Sequence, residues 1–177
     1  MEAPEVPLEK TQEHIKEHAQ ESGEKWIMGV ALSTAILAAV AAIASLLAGQ
    51  HINEGMISQI RASDNWAYYQ AKGIKASLLE SKMELLAAQG KESGGADKEK
   101  IAKYATEQED ISKEARGLER EADEHIQRHE RLASAVTLFQ IGIAISAIAV
   151  LTKKRLFWFV GLAVGCGGLV FLAIAYR

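Results

Sequence analysis

The sequence predicts an all-α protein: three transmembrane helices, with a long antiparallel, coiled-coil-like helical hairpin between spans one and two. Three observations carry that prediction. Uncharged, apolar runs extend from Trp26 to Ala48, from Leu132 to Thr152 and from Leu156 to Tyr176, each about 20 residues and so long enough to cross a hydrocarbon core ~30 Å thick. The chain between the first two runs is rich in Glu, Lys, Arg, Asp and Gln and repeats its apolar residues by sevens. That stretch contains no proline, since both prolines, Pro4 and Pro7, lie near the N-terminus. A backbone in lipid must satisfy its own hydrogen bonds, so the three runs are expected to be helices.

The organisation follows from these boundaries. Residues 1–25 form an acidic N-terminal tail, 26–48 the first span, 49–131 the aqueous hairpin with its tip near 90–96, 132–152 the second span and 156–176 the third. The flank of the first run carries Glu13, Glu17, Glu21 and Glu24 against Lys16 and Lys25. With that acidity and that length, the run reads as a retained anchor rather than a secretory signal. Cys166, the one cysteine, falls in the third span, so no disulfide forms within the chain.

Threading follows from basic residues in short loops. Lys153, Lys154 and Arg155 between spans two and three are expected on the cytoplasmic side, which puts the N-terminus in the cytoplasm and the hairpin in the periplasm. Arg128 and Arg131 beside span two oppose this assignment, but long loops cross largely regardless of charge.

Within the hairpin, "AQGKESGGADK" marks the break. Gly90, Gly94 and Gly95 surround Ser93, and Asp97 is the expected N-cap of the second arm. The second arm places Ile101, Gln108, Ala115, Ala122 and His129 at one heptad position and Tyr104, Ile111, Leu118, His125 and Leu132 at the other. In the first arm, Ile60, Ala67, Ile74 and Ser81 repeat by seven, joined by Ala71, Leu78 and Leu85; these are expected to form its seam. Such polar seams bury little apolar area at roughly 25 cal/mol per Å², so the hairpin is expected to need further copies or the membrane for support.

The first arm also carries "SDNWAYYQAK", with Trp66, Tyr68 and Tyr69 within four positions. Trp66 lies about 27 Å of helix beyond the first span, too far for an aromatic belt at headgroup level. Folding the hairpin near its glycines sets Trp66 opposite Gly117 to Arg120. Gly117 is then expected to be a smooth spot that admits Trp66 or Tyr69, with Arg116 or Arg120 over a ring face. Trp66, Tyr68, Tyr69, Gln70, Arg116, Gly117 and Arg120 are accordingly the expected interface or hairpin-locking residues. An aromatic ligand pocket is the competing reading of the same rings.

"DNWAYYQAKGIK" also resembles the signature of a bacterial family of small membrane proteins known only as a domain of unknown function, number four-three-three-seven. The matching residues are Asp64, Asn65, Trp66, Tyr69, Gln70, Ala71 and Lys72, and the resemblance extends over nearly the full chain. It implies an architecture of one span, a charged helical pair and two closing spans, together with bacterial origin. It implies no catalytic residue.

Two histidine pairs have helical i, i+4 spacing. "HIKEH", His14 to His18, spells a zinc-peptidase pattern, but ahead of a membrane span it reads as a solvated acidic helix. His125 and His129 fall on the hairpin seam, where with Glu121 they are candidates for a pH-sensitive or metal-binding pair. No metal or other cofactor is expected. Inside the spans there is no Asp, Glu, Lys, Arg or His, which disfavours an ion-coupled carrier. Gln140, Gly161 and Gly165 are the expected membrane helix-packing residues. Lys and Arg number 20 against 23 Asp and Glu, so nucleic-acid binding has no electrostatic basis.

The expected protein is therefore a non-enzymatic, multi-pass component of the bacterial inner membrane. Its expected partners are the lipid bilayer, further copies of itself and an unidentified protein, and its expected role is a homo-oligomeric structural or scaffolding module. The alternative is an oligomeric channel lined by small and hydroxyl residues of span one.

Overall fold

A computed structural model describes Glu13, Ile15, Glu17, residues 25–92 and residues 94–176. His14, His18 and Ser93 lie outside the described residues. Helix α1 runs Lys25–Ala88, α2 runs Gly95–Thr152 and α3 runs Arg155–Ala175. The described residues are all-α and contain no strand. Each helix includes a stretch long and apolar enough to cross a membrane. The chain divides into two compact units, one of Met1–Ile52 with Ile126–Arg177 and the other of Asn53–His125.

The first unit gathers the apolar ends of α1 and α2 with α3. Leu37, Ala41 and Ala44 of α1 are buried against Ala135, Phe139 and Ile143 of α2, and Ala48, Leu132 and Ala175 close a second cluster. Between α2 and α3 the packing depends on missing side chains. A Cβ on Gly161 would stand 2.5 Å from Ser146 Oγ and 2.7 Å from the Gly142 carbonyl oxygen, and one on Gly142 would stand 2.8 Å from the Gly161 carbonyl oxygen. Gly165 leaves room for Leu37, and Gly168 for Phe139. Glycine is the residue that allows two backbones this close in a membrane, where van der Waals packing rather than hydrophobicity holds helices together.

Hydroxyl groups in this unit are satisfied locally. Thr34 donates to the Val30 carbonyl at 3.0 Å, and Ser146 to the Gly142 carbonyl at 2.8 Å. Trp158 Nε1 donates to Ser33 Oγ at 3.1 Å, and the Arg155 guanidinium lies 5.5 Å from the centre of the Trp26 ring. The connection between α2 and α3 is tighter than the expected three residues: Lys153 turns at φ 53, and Arg155 already begins α3.

In the second unit, burial follows an unbroken 3–4 alternation on each arm. On α2 the inward positions are Asp97, Ile101, Tyr104, Gln108, Ile111, Ala115, Leu118, Ala122 and His125, the heptad expected from sequence with Asp97 added. On α1 they are Gly55, Ser58, Ala62, Asn65, Tyr69, Lys72, Ala76, Leu79, Met83 and Leu86. This corrects the first-arm expectation. Ile60, Ile74, Leu78 and Leu85 are 59%, 62%, 65% and 62% exposed, and Ala67 and Ser81 are exposed beside them. Two periodic stripes coexist on this helix two residues apart. The smaller, more polar one faces α2 because it permits closer approach and can answer the polar groups opposite.

Asp97 is also not an N-cap. It lies in the first turn of α2 and is buried, with Lys82 Nζ donating to its Oδ2 at 2.8 Å. At that position the carboxylate meets the positive end of the helix dipole. The C-terminus of α1 is closed by Gly90 at φ +70. Gly90 N–H donates to the Ala87 carbonyl and Lys91 N–H to the Leu86 carbonyl, both at 2.9 Å, the paired bonds of a Schellman motif.

Two pairs of substitutions test these readings. Gly161→Ala should weaken the docking of α3 by on the order of 1–3 kcal/mol, because backbone would have to move. Gly167→Ala, where a Cβ would meet only Leu138 at 3.9 Å, should be neutral; titration with a denaturing detergent reads both. Gly90→Ala should cost roughly 1–2 kcal/mol in thermal unfolding through the left-handed backbone it must adopt, whereas Gly94→Ala should not.

Candidate functional site

The densest set of polar contacts in the second unit is built on the Trp66 to Lys72 stretch. Trp66 Nε1 donates to Glu119 Oε1 at 2.8 Å, and the Trp66 ring meets Tyr69 edge-on, with centroids 5.5 Å apart and planes at 75°. The next helical turn offers the Tyr69 carbonyl, which accepts from Gln108 Nε2 at 3.2 Å. Gly73 makes room for that amide, since a Cβ there would stand 3.0 Å from Gln108 Nε2.

Lys72 is the centre of the arrangement. Its side chain is only 11% exposed, and Nζ lies 2.6 Å from Glu107 Oε2. The approach is a close ion pair rather than a directed hydrogen bond. Two rings flank the ammonium: Nζ is 4.9 Å from the centre of Tyr68 and 5.2 Å from that of Tyr104. Their π faces carry the negative end of the ring quadrupole, which suits a cation. The Glu107 carboxylate, and after it the Tyr68 hydroxyl, hold the Lys72 ammonium above its ordinary 10.5. Lys72 in turn holds Glu107 below its ordinary 4.5.

The expected residues divide accordingly. Trp66, Tyr68 and Tyr69 all contribute to this assembly, and Trp66 reaches the predicted neighbourhood at Glu119. Gln70 is exposed. Gly117 is not a socket: a Cβ there would meet nothing within 4 Å. Arg116 and Arg120 are exposed, and among the described residues the cation over the Tyr68 and Tyr104 rings is Lys72 of α1. Lys72, Tyr104, Glu107, Gln108 and Glu119 join the site beyond the residues expected from sequence. The signal available was the heptad placement of Lys72, which falls on the stripe that the bulkier aliphatic residues disguised.

The histidines do not converge on Glu121, which is exposed. In the second unit His125 Nδ1 stands 3.1 Å from Glu54 Oε2. In the first unit His129 Nδ1 donates to the Ala48 carbonyl at 2.9 Å. There too, Gly161 and Gly165 sit at close helix contacts, and Gln140 is half-buried.

The pKa shifts fix the pH dependence of the Lys72–Glu107 pair. Glu107 is depressed on folding, so its stabilisation is present above pH 4.5 and lost as pH falls through its lower folded value. Lys72 is raised on folding, so its stabilisation is present below pH 10.5 and lost as pH climbs through its higher folded value. Helical melting followed by circular dichroism should therefore lose stability on the acid side of pH 4.5. Glu107→Gln should flatten that acid limb; an equally steep limb in the variant would assign it to other carboxylates.

No curated protein and no solved structure matches this chain. One family model does, over residues 26–177, which takes in all three helices and the Trp66 to Lys72 assembly. With that span matched, the chain belongs to the family described as Domain of unknown function (DUF4337).

Proposed function

We propose that the protein is a multi-pass membrane scaffold whose second unit is an antiparallel, coiled-coil-like hairpin, and that it works as a homo-oligomer. One observation carries the reading. Trp66 and Lys72 are directed at Glu119 and Glu107 of the other arm, whose Gln108 donates to the Tyr69 carbonyl, and these contacts hold the two helices together. The sequence separation between partners falls along α1, from 53 at Trp66 to 39 at Gln108 with Tyr69 and 15 at Lys82. That trend supports an antiparallel pair closing toward the Gly90 turn.

Membrane residence rests on the three long apolar helices. The basic triad Lys153, Lys154 and Arg155 favours the cytoplasm for that turn and for the N-terminus, with the hairpin on the opposite side of a bacterial inner membrane. A pore has less support. Thr34 is buried and bonded within its own helix, and Ser33 is engaged by Trp158, so two hydroxyls of span one are already occupied.

Light scattering of the chain extracted in mild detergent tests the oligomer. The protein mass, corrected for detergent, should be a multiple of 19.2 kDa. A single-chain mass at all concentrations would overturn the reading.

A further inference from the structure

The aliphatic stripe on the outer side of α1 is itself a heptad. Ile57, Ile60, Asp64, Ala67, Ala71, Ile74, Leu78, Ser81 and Leu85 follow one another at steps of three and four. Offset by two residues from the seam that faces α2, it lies about 200° around the helix at ~100° per residue. Isolated exposed apolar residues need no explanation, but a sustained stripe, exposed here at every position except the half-buried Ala71, does. Beside it runs an open groove of about 530 Å³, lined by Gly73, Ile74, Ser77, Leu78 and Ser81 with Gln108 at its edge.

Resting on the oligomeric reading above, we propose that this stripe is the self-association surface: α1 of a second copy lies along it, parallel and in register. Three features select that occupant. The 3–4 spacing presents knobs and holes to another helix. Copies threaded identically through one membrane share their chain direction, which favours parallel pairing. The flanks agree, because one edge of the stripe carries Arg61, Tyr68, Lys75 and Lys82, the last already bonded to Asp97, and the other carries Ser63, Gln70, Ser77 and Glu84. Parallel packing sets the cationic edge against the one that holds Glu84 and no cation, whereas antiparallel packing sets it against itself. Asp64 is the one charge inside the stripe. In parallel register it faces its own counterpart, which weakens association while marking the register.

The test uses the full chain in liposomes, with Cys166 replaced by Ser and single cysteines introduced. Under mild oxidation Ile74→Cys should give a covalent dimer, and Glu80→Cys, on a different face of α1, should not. Adding Asp64→Leu should raise the Ile74→Cys cross-linked fraction, with association tightening about fivefold or more for each kcal/mol gained. Equal cross-linking at both positions, or an unchanged fraction with Asp64→Leu, overturns the parallel register. No cross-link in a chain that still has a multimeric mass overturns this surface alone and leaves the scaffold reading standing. No cross-link together with a single-chain mass overturns both, and assigns the stripe to a different protein.

Discussion

Lys72 is held between Glu107 and two tyrosine rings on the inner face of α1, and much of the second unit follows from that placement. Removing an ammonium from water is unfavourable unless a counter-charge and polarisable surface replace the lost hydration. Glu107 supplies the charge, and Tyr68 and Tyr104 supply the surface. Once Lys72 faces inward, helical periodicity directs Asn65, Tyr69, Ala76 and Leu79 inward with it. The same rotation turns Ile60, Ile74, Leu78 and Leu85 outward. The polar lock and the exposed aliphatic stripe are thus two consequences of one rotational setting of the helix.

That setting exchanges stability for specificity. Covering an exposed Leu or Ile is worth on the order of 1.5–3 kcal/mol, so the aliphatic stripe would have made a stronger seam with α2. A charged seam, however, is exacting about alignment: a shift of one heptad would leave Lys72 and Glu107 unpaired in a partly buried place, which costs more than losing an apolar contact. The close Gly73–Gln108 approach and the Trp66–Glu119 bond add further points that only one alignment satisfies. The apolar area withheld from the seam stays available to a partner.

This division also explains what could be read from sequence. The three apolar runs were legible because lipid imposes a length and excludes charge. The second-arm heptad was legible because Ile101, Ile111, Ala115 and Ala122 dominate it without a competitor. On the first arm two heptads overlap, and hydrophobicity alone favours the wrong one: Ser58, Asn65 and Lys72 look like surface residues until their partners on α2 are known. Gly117 misled for a related reason, since a glycine in a helix invites a packing explanation that its open surroundings do not require. Gly161 was legible as a packing residue, whereas its partner Gly142 was not, because the opposing backbone that gives it a steric role is invisible in a linear pattern.

On the membrane reading proposed above, the two units associate their helices under opposite solvents. In hydrocarbon an apolar surface gains nothing by meeting another, so the glycines of α2 and α3 bring backbones together and let dispersion act at short range. In water an apolar surface gains by being covered, and the outer stripe of α1 is where that gain remains uncollected within one chain. In the proposed assembly, anchoring in a membrane also favours pairing of copies. Confinement to a surface raises the effective concentration of neighbours and fixes their direction, so the ordering entropy that opposes a free helix pair is reduced before contact. A stripe too weak to pair detached helices can therefore suffice for anchored ones, which is the physical basis of the proposed pairing along α1.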